Sequence, residues 1–140
     1  MKRKGVCFVS DRNTCRSLIA EVYLRKLGRE YFEVHSFGLE ADRMHYLVRE
    51  VLEERGLNPN YSFSKKYEVI KNQRFDIFVL MHPSLQEKLP RIPYEYRLEV
   101  WNFEPVALDQ GDEQKVKETL HELCDQIEKR VKEFIENFKS

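Results

Sequence analysis

Four short apolar runs alternate along this chain with segments whose apolar residues recur at three- and four-residue steps. The run Gly5-Val6-Cys7-Phe8-Val9 comes first; residues 32–36, 75–81 and 96–101 follow. A short run with almost no polar interruption predicts a strand buried on both faces. Between the first two, Leu18, Ile19, Val22, Tyr23 and Leu27 share one helical face over residues 17–27, and Gly28 supplies a C-cap. Asp42 stands where it could cap a helix over 43–55, whose inner face is Met44, Leu47, Val48, Val51 and Leu52 and which Gly56 ends. Ser64 opens a short helix through Tyr67 and Ile70, and His82-Pro83-Ser84 starts another with proline at a tolerated first-turn position. The stripe Val116, Leu120, Leu123, Cys124, Ile127, Val131, Phe134, Ile135 and Phe138 predicts a long final helix lying on a sheet. The order β-α-β-α-α-β-α-β-α predicts an α/β protein, a parallel sheet with helices on both faces, in one domain over residues 1–140.

Charge narrows the function classes. Lys plus Arg and Asp plus Glu are 24 each, so the formal net charge is zero and binding to nucleic acid through bulk positive charge is disfavoured. No stretch approaches the ~20 apolar residues of a membrane helix. The basic start Met1-Lys2-Arg3-Lys4 precedes too short an apolar run for a signal peptide. The three cysteines, Cys7, Cys15 and Cys124, form no CxxC pair and no zinc-spaced cluster, and His35, His45, His82 and His121 are scattered; no metal site and no cofactor is expected. An odd, sparse cysteine count fits a reducing compartment, so the chain is read as cytoplasmic.

In parallel α/β sheets ligands sit beyond the carboxyl ends of the strands. The first strand ends at Ser10, and eight residues, Ser10-Asp11-Arg12-Asn13-Thr14-Cys15-Arg16-Ser17, join it to a helix. Backbone amides of such a loop can converge into an anion nest with the helix N-terminus behind it. Arg16 can hold two oxygens of a phosphate-like anion in its planar fork. Asn13 can brace the loop through its side-chain amide, and Ser17 is a candidate N-cap. On the residues alone, an ordinary polar turn and an anion-binding loop both remain open.

The stretch from Val6 to Glu21 resembles the signature of the low-molecular-weight protein tyrosine phosphatases, whose fold and loop are shared by thioredoxin-coupled arsenate reductases. Their pattern is an apolar strand, Cys-x-x-Asn-x-(Cys/Ala)-Arg-Ser, two residues, then Ala-Glu; this chain matches it except that Ser10 takes the place of the nucleophilic cysteine. Ser36-Phe37-Gly38-Leu39-Glu40 resembles the segment after the family's second strand, and Trp101-Asn102-Phe103-Glu104-Pro105 its Asp-Pro acid stretch, with Glu104 at the acid position.

The resemblance implies a three-layer sandwich around a four-stranded parallel sheet in the order 2-1-3-4. It implies a phosphomonoester phosphatase, foremost a protein-tyrosine phosphatase, working through a phosphocysteine. The loop residues Asp11, Arg12, Asn13, Thr14, Cys15, Arg16 and Ser17 would hold the phosphate, Asn13, Ser17 and Ser36 would support the loop, and Glu104 would be the general acid. Asp109 and Asp112 lie in the same loop and could substitute for it. With a hydroxyl at position 10 the chain should bind phosphate or another oxyanion, and a phosphorylated protein or small aryl phosphate, yet scarcely turn over. That leaves an introduced Cys-to-Ser change or a natural phosphate-binding pseudo-phosphatase. Arsenate reduction in the family relays electrons through two cysteines beyond the third strand; residues 81–90 carry none. Val106 and Ala107 replace the aromatic residues that flank the acid in eukaryotic-type members. Phe37, Leu39, Trp101 and Phe103 are open to a role as pocket walls or core, and His82 to a weak substrate contact.

Overall fold

The structure is a computed structural model and describes residues 2–139. Its elements run β1 (Lys4–Ser10), α1 (Arg16–Leu27), β2 (Phe32–Gly38), α2 (Tyr46–Glu54), α3 (Tyr67–Ile70), β3 (Ile77–Leu80), a 3-10 helix (Pro83–Lys88), β4 (Arg97–Val100) and α4 (Glu113–Lys139). The strands form one parallel sheet in the order β2-β1-β3-β4, as the resemblance implied.

The apolar runs are continuous because both faces of the inner strands are covered. Val6 and Phe8 of β1, with Ile77 and Val79 of β3, enter a core roofed by α1, α2 and α4. The alternate residues Cys7, Val9, Phe78 and Leu80 enter a smaller core with Phe37, Tyr67, Ile70 and Leu85, under α3 and the 3-10 helix. A one-residue slip of register would exchange the two sets, so the pairing Val6 to Val34 on one side and Val6 to Ile77 on the other is firmly fixed. The α4 stripe lies as expected: Leu120, Cys124, Ile127 and Val131 are fully buried. Phe134 packs on Phe32 and Trp101 at ring-centre distances of 5.3 and 6.1 Å.

Helix starts differ from the sequence reading. Asp42 caps nothing: its amide donates to Ser64 Oγ (3.0 Å), the segment after β2 stays extended, and α2 begins at Tyr46. Its cap is His45, whose Nδ1 accepts the Leu47 N–H at 3.1 Å. Ser64 opens no helix either, because its hydroxyl donates to Arg12 O (3.1 Å) and α3 waits until Tyr67. Ser17 is not an N-cap; α1 begins one residue earlier, after Cys15, and Ser17 lies inside it. β3 and β4 are shorter than the runs 75–81 and 96–101. The ladder nonetheless continues past them, with Met81 N–H on Val9 O and Trp101 N–H on Leu80 O.

Candidate functional site

The strand order changes direction at β1, with β2 on one side and β3 on the other. That switch point opens a crevice at the carboxyl end of β1. The loop from Ser10 to Arg16 lies there, ahead of the N-terminus of α1, where first-turn amides have no helical acceptor.

The loop's shape comes from its outer bonds. Ser10 O accepts the Leu39 N–H (3.1 Å) and Asp11 O the Glu40 N–H (2.8 Å), so these two carbonyls face the segment after β2. This requires close approach at Gly38, where an added Cβ would lie 2.7 Å from Asn13 N and 2.5 Å from Glu40 O. Asn13, with φ of 55°, turns the chain through the left-handed region, one of the few conformations that curl successive amides toward one centre. Asparagine tolerates that region better than most residues.

Asn13 is also the hub of the support. Its side chain is buried; Nδ2 donates to Ser17 Oγ at 2.7 Å and Ser36 Oγ at 3.0 Å, while Oδ1 accepts the Lys65 N–H at 2.9 Å. Ser36 in turn donates to the buried Glu21 carboxylate, which also accepts from Ser62 Oγ (2.7 Å) and Arg25 (2.6 Å). Every polar group here is satisfied, which makes the network a rigid wall rather than a destabilising defect. Ser17 and Ser36 thus support the loop from inside α1 and from β2.

Ser10 ends β1 at 2 % exposure. Its Oγ accepts the Asn13 N–H at 3.1 Å and lies 2.6 Å from Ser17 Oγ. If Ser10 donated to Ser17, the fully buried Ser17 proton would be left without an acceptor. The satisfied arrangement has Ser17 donating, with the Ser10 O–H directed into the crevice. Arg16 is 5 % exposed; Nη1 donates to Phe103 O (2.7 Å) and Nη2 to Asp11 Oδ1 (2.8 Å).

The crevice is an open pocket of about 590 Å³. Ser10, Asp11, Arg12, Thr14, Cys15 and Arg16 form its floor; His45, Pro105, Val106 and Asp109 are among its walls. The three candidate acids are separated. Asp109 lines this pocket and accepts from His45 Nε2 at 2.8 Å. Glu104 lines a neighbouring depression, its carboxyl 3.2 Å from His82 Nε2. Asp112 caps α4 through the Gln114 N–H (2.9 Å). Sequence reasoning took His45 as one of four scattered histidines, and no spacing signal would have placed it here. Phe37 and Trp101 are core residues, the latter tilted against Phe8.

All three thiols are buried. Burial pushes Cys15 up to about 12 despite the lowering effect of Arg16, and pushes Cys124 up to about 12 as well. Cys7 is also pushed well above its ordinary value, again by burial. Among the described residues no group of three or more His, Cys, Asp or Glu could hold a metal, and no helix is long and apolar enough to cross a membrane.

Comparison with known proteins places this geometry. The family described as low molecular weight phosphotyrosine protein phosphatase matches residues 5–140. A protein named arsenate reductase from Bacillus subtilis (strain 168) is 27% identical over 139 residues, covering 99% of this chain and 100% of its own. A solved arsenate reductase in its reduced state is 27% identical with a TM-score of 0.75, covering 96% of this chain and 98% of its own. A low molecular weight protein tyrosine phosphatase from T. tengcongensis, 22% identical, has a TM-score of 0.72 and covers 93% of this chain and 99% of its own, a likeness of fold.

Proposed function

The chain belongs to the low molecular weight phosphotyrosine protein phosphatase family, and from that premise we propose that its loop is a phosphomonoester site, of the protein-tyrosine phosphatase type, stalled at the nucleophile position by Ser10. The observation that carries the reading is the setting of Ser10 Oγ, which faces the Asn13 N–H and the Ser17 hydroxyl at the foot of the Arg16 pocket. The same two donors would stabilise a thiolate, and in-line attack of that thiolate on phosphorus would break the bond to the aryl oxygen, release the phenolate and leave a phosphocysteine for water to hydrolyse. A serine hydroxyl ionises far above a thiol and needs a base. The histidine of the pocket offers none, since His45 spends Nδ1 on the Leu47 N–H and Nε2 on Asp109. Ser10 instead adds an O–H donor to the anion nest, so binding survives where turnover does not.

The expected ligands are phosphate or a similar oxyanion and a phosphorylated protein or aryl phosphate, met in the cytoplasm, where Cys7, Cys15 and Cys124 stay free thiols. The names of the relatives favour a second reading, reduction of arsenate. That reaction draws two electrons from thiols, and all three thiols of this chain are buried, with Cys15 and Cys124 held protonated up to about 12. We therefore assign oxyanion binding without reduction.

The test is hydrolysis of p-nitrophenyl phosphate by the chain and by Ser10→Cys, with phosphate and vanadate titrations of both. Turnover confined to Ser10→Cys supports a phosphatase site with a single lesion. Binding by both without turnover makes the chain a phosphate-binding module. Absence of both binding and turnover in the two forms overturns the proposal.

A further inference from the structure

Two of the five N–H donors of Arg16, one on each terminal nitrogen, are already used by the protein itself. Nη1 is on a backbone oxygen, that of Phe103 at 2.7 Å, and Nη2 is on the Asp11 carboxylate at 2.8 Å. The two partners differ in kind. The Phe103 carbonyl belongs to the turn after β4, held by its own N–H on Met81 O (2.9 Å). Asp11 is the second residue of the anion loop; its side chain is 60 % exposed while that of Arg16 is 6 % exposed. Besides Arg16, its Oδ1 takes only the neighbouring Arg12 N–H, at 3.1 Å. A carboxylate oxygen and a phosphate oxygen make the same charge-assisted bond to a guanidinium. The charges that line the pocket balance as well, with Arg12, Arg16 and Arg43 set against Asp11, Asp42 and Asp109.

We propose that Asp11 is a resident competitor for the anion site, its carboxylate taking one N–H of the Arg16 guanidinium and offsetting the charge that a ligand oxygen would meet. The inference rests on the reading of the loop as an oxyanion site. Binding then requires Asp11 to swing out, which its exposure permits. It must leave one negative charge beside the incoming one. Doubly charged oxyanions bear this repulsion twice over, so Asp11 lowers affinity for phosphate dianion more than for a singly charged oxyanion. Asp11 thereby sets both the affinity threshold of the loop and its selectivity for charge.

The test titrates inorganic phosphate at pH 8, where it is a dianion, and nitrate into the chain, Asp11→Asn and Asp11→Ala by calorimetry. The amide resonances of Thr14, Cys15 and Arg16 report the site of binding. Losing one charge-assisted bond to a competitor corresponds to about ten- to a hundredfold tighter phosphate binding in both variants, with a smaller gain for nitrate. Asp11→Asn with Arg16→Lys should lose most of that gain, because the fork is what is freed. Phosphate binding of equal strength in all forms overturns the competitor and leaves the oxyanion reading standing. An equal gain for phosphate and nitrate overturns the charge selectivity. No phosphate binding by the chain or either variant overturns both readings.

Discussion

Asn13→Ala should be among the most damaging single substitutions in this protein, although it removes few atoms. It deletes two buried donors, to Ser17 and Ser36, and the acceptor of the Lys65 N–H. The Lys65 N–H bond is buried, and an amide left there without an acceptor costs roughly 1–3 kcal/mol. The two lost donor bonds cost about 1 kcal/mol each, and alanine at a φ of 55° adds about 1 kcal/mol over asparagine. The sum is about 4–6 kcal/mol, a large share of the ~5–15 kcal/mol that holds a domain folded. Urea unfolding can be followed through Trp101, the single tryptophan, which is buried against Phe8, Phe103 and Phe134. Asn13→Gly separates the contributions, because it relaxes the backbone while forfeiting the same three bonds; it should still lose about 3–5 kcal/mol. A loss under about 1 kcal/mol in Asn13→Ala would refute the hydrogen-bond argument. Full recovery in Asn13→Gly would refute it too, by assigning the whole effect to backbone strain.

Glu21→Gln should cost about 3 kcal/mol in the same assay, because Arg25 loses its buried partner while Ser36 and Ser62 face an amide; a loss within about 0.5 kcal/mol would deny the network its role. Iodoacetamide at pH 8 should leave all three cysteines of the native chain unmodified for hours and label all three in denaturant, as read by intact mass; rapid native labelling of Cys15 would contradict its burial. The same thiols give a pH dependence with a definite sign. Cys15 and Cys124 titrate near 9.0 when unfolded and at about 12 when folded. Their contribution is therefore complete below about pH 9 and declines as the pH rises toward 12, so unfolding midpoints should fall across that window and not below it.

The sheet was legible because each inner strand must satisfy two cores at once. Val6 to Val9 and Ile77 to Leu80 have no polar side to misplace, and the α4 stripe repeats often enough to fix its inner face. The loop was legible as a motif, and the structure joins Asn13, Ser17 and Ser36 by hydrogen bonds. What escaped was every choice made by a side chain between two partners. Asp42 and Ser64 look like helix caps, yet their groups are used to tie the segment after β2 to the loop between β1 and α1. His45 carried no periodic or spacing signal, and its backbone is tied to the loop by its own N–H on Thr14 O (3.3 Å). Glu104 and Asp109 are five residues apart in an irregular segment, and only the path of the chain decides that the pocket receives the second.

The division of labour inside the loop explains why so much of the site persists around Ser10. The bonds that give the loop its curvature run through Asn13, Ser17, Ser36 and Glu21, and through the backbone of Leu39 and Glu40. Among the described residues only the Asn13 amide and the Ser17 hydroxyl bond the Ser10 side chain, and in the satisfied arrangement both donate to its oxygen. Donors of that kind serve a thiolate, a hydroxyl oxygen or a bound anion equally, because what they require is negative charge or a lone pair and not a particular element. The scaffold therefore presents two donors to the residue at position 10, and Asp11 holds one N–H of the Arg16 guanidinium beside them.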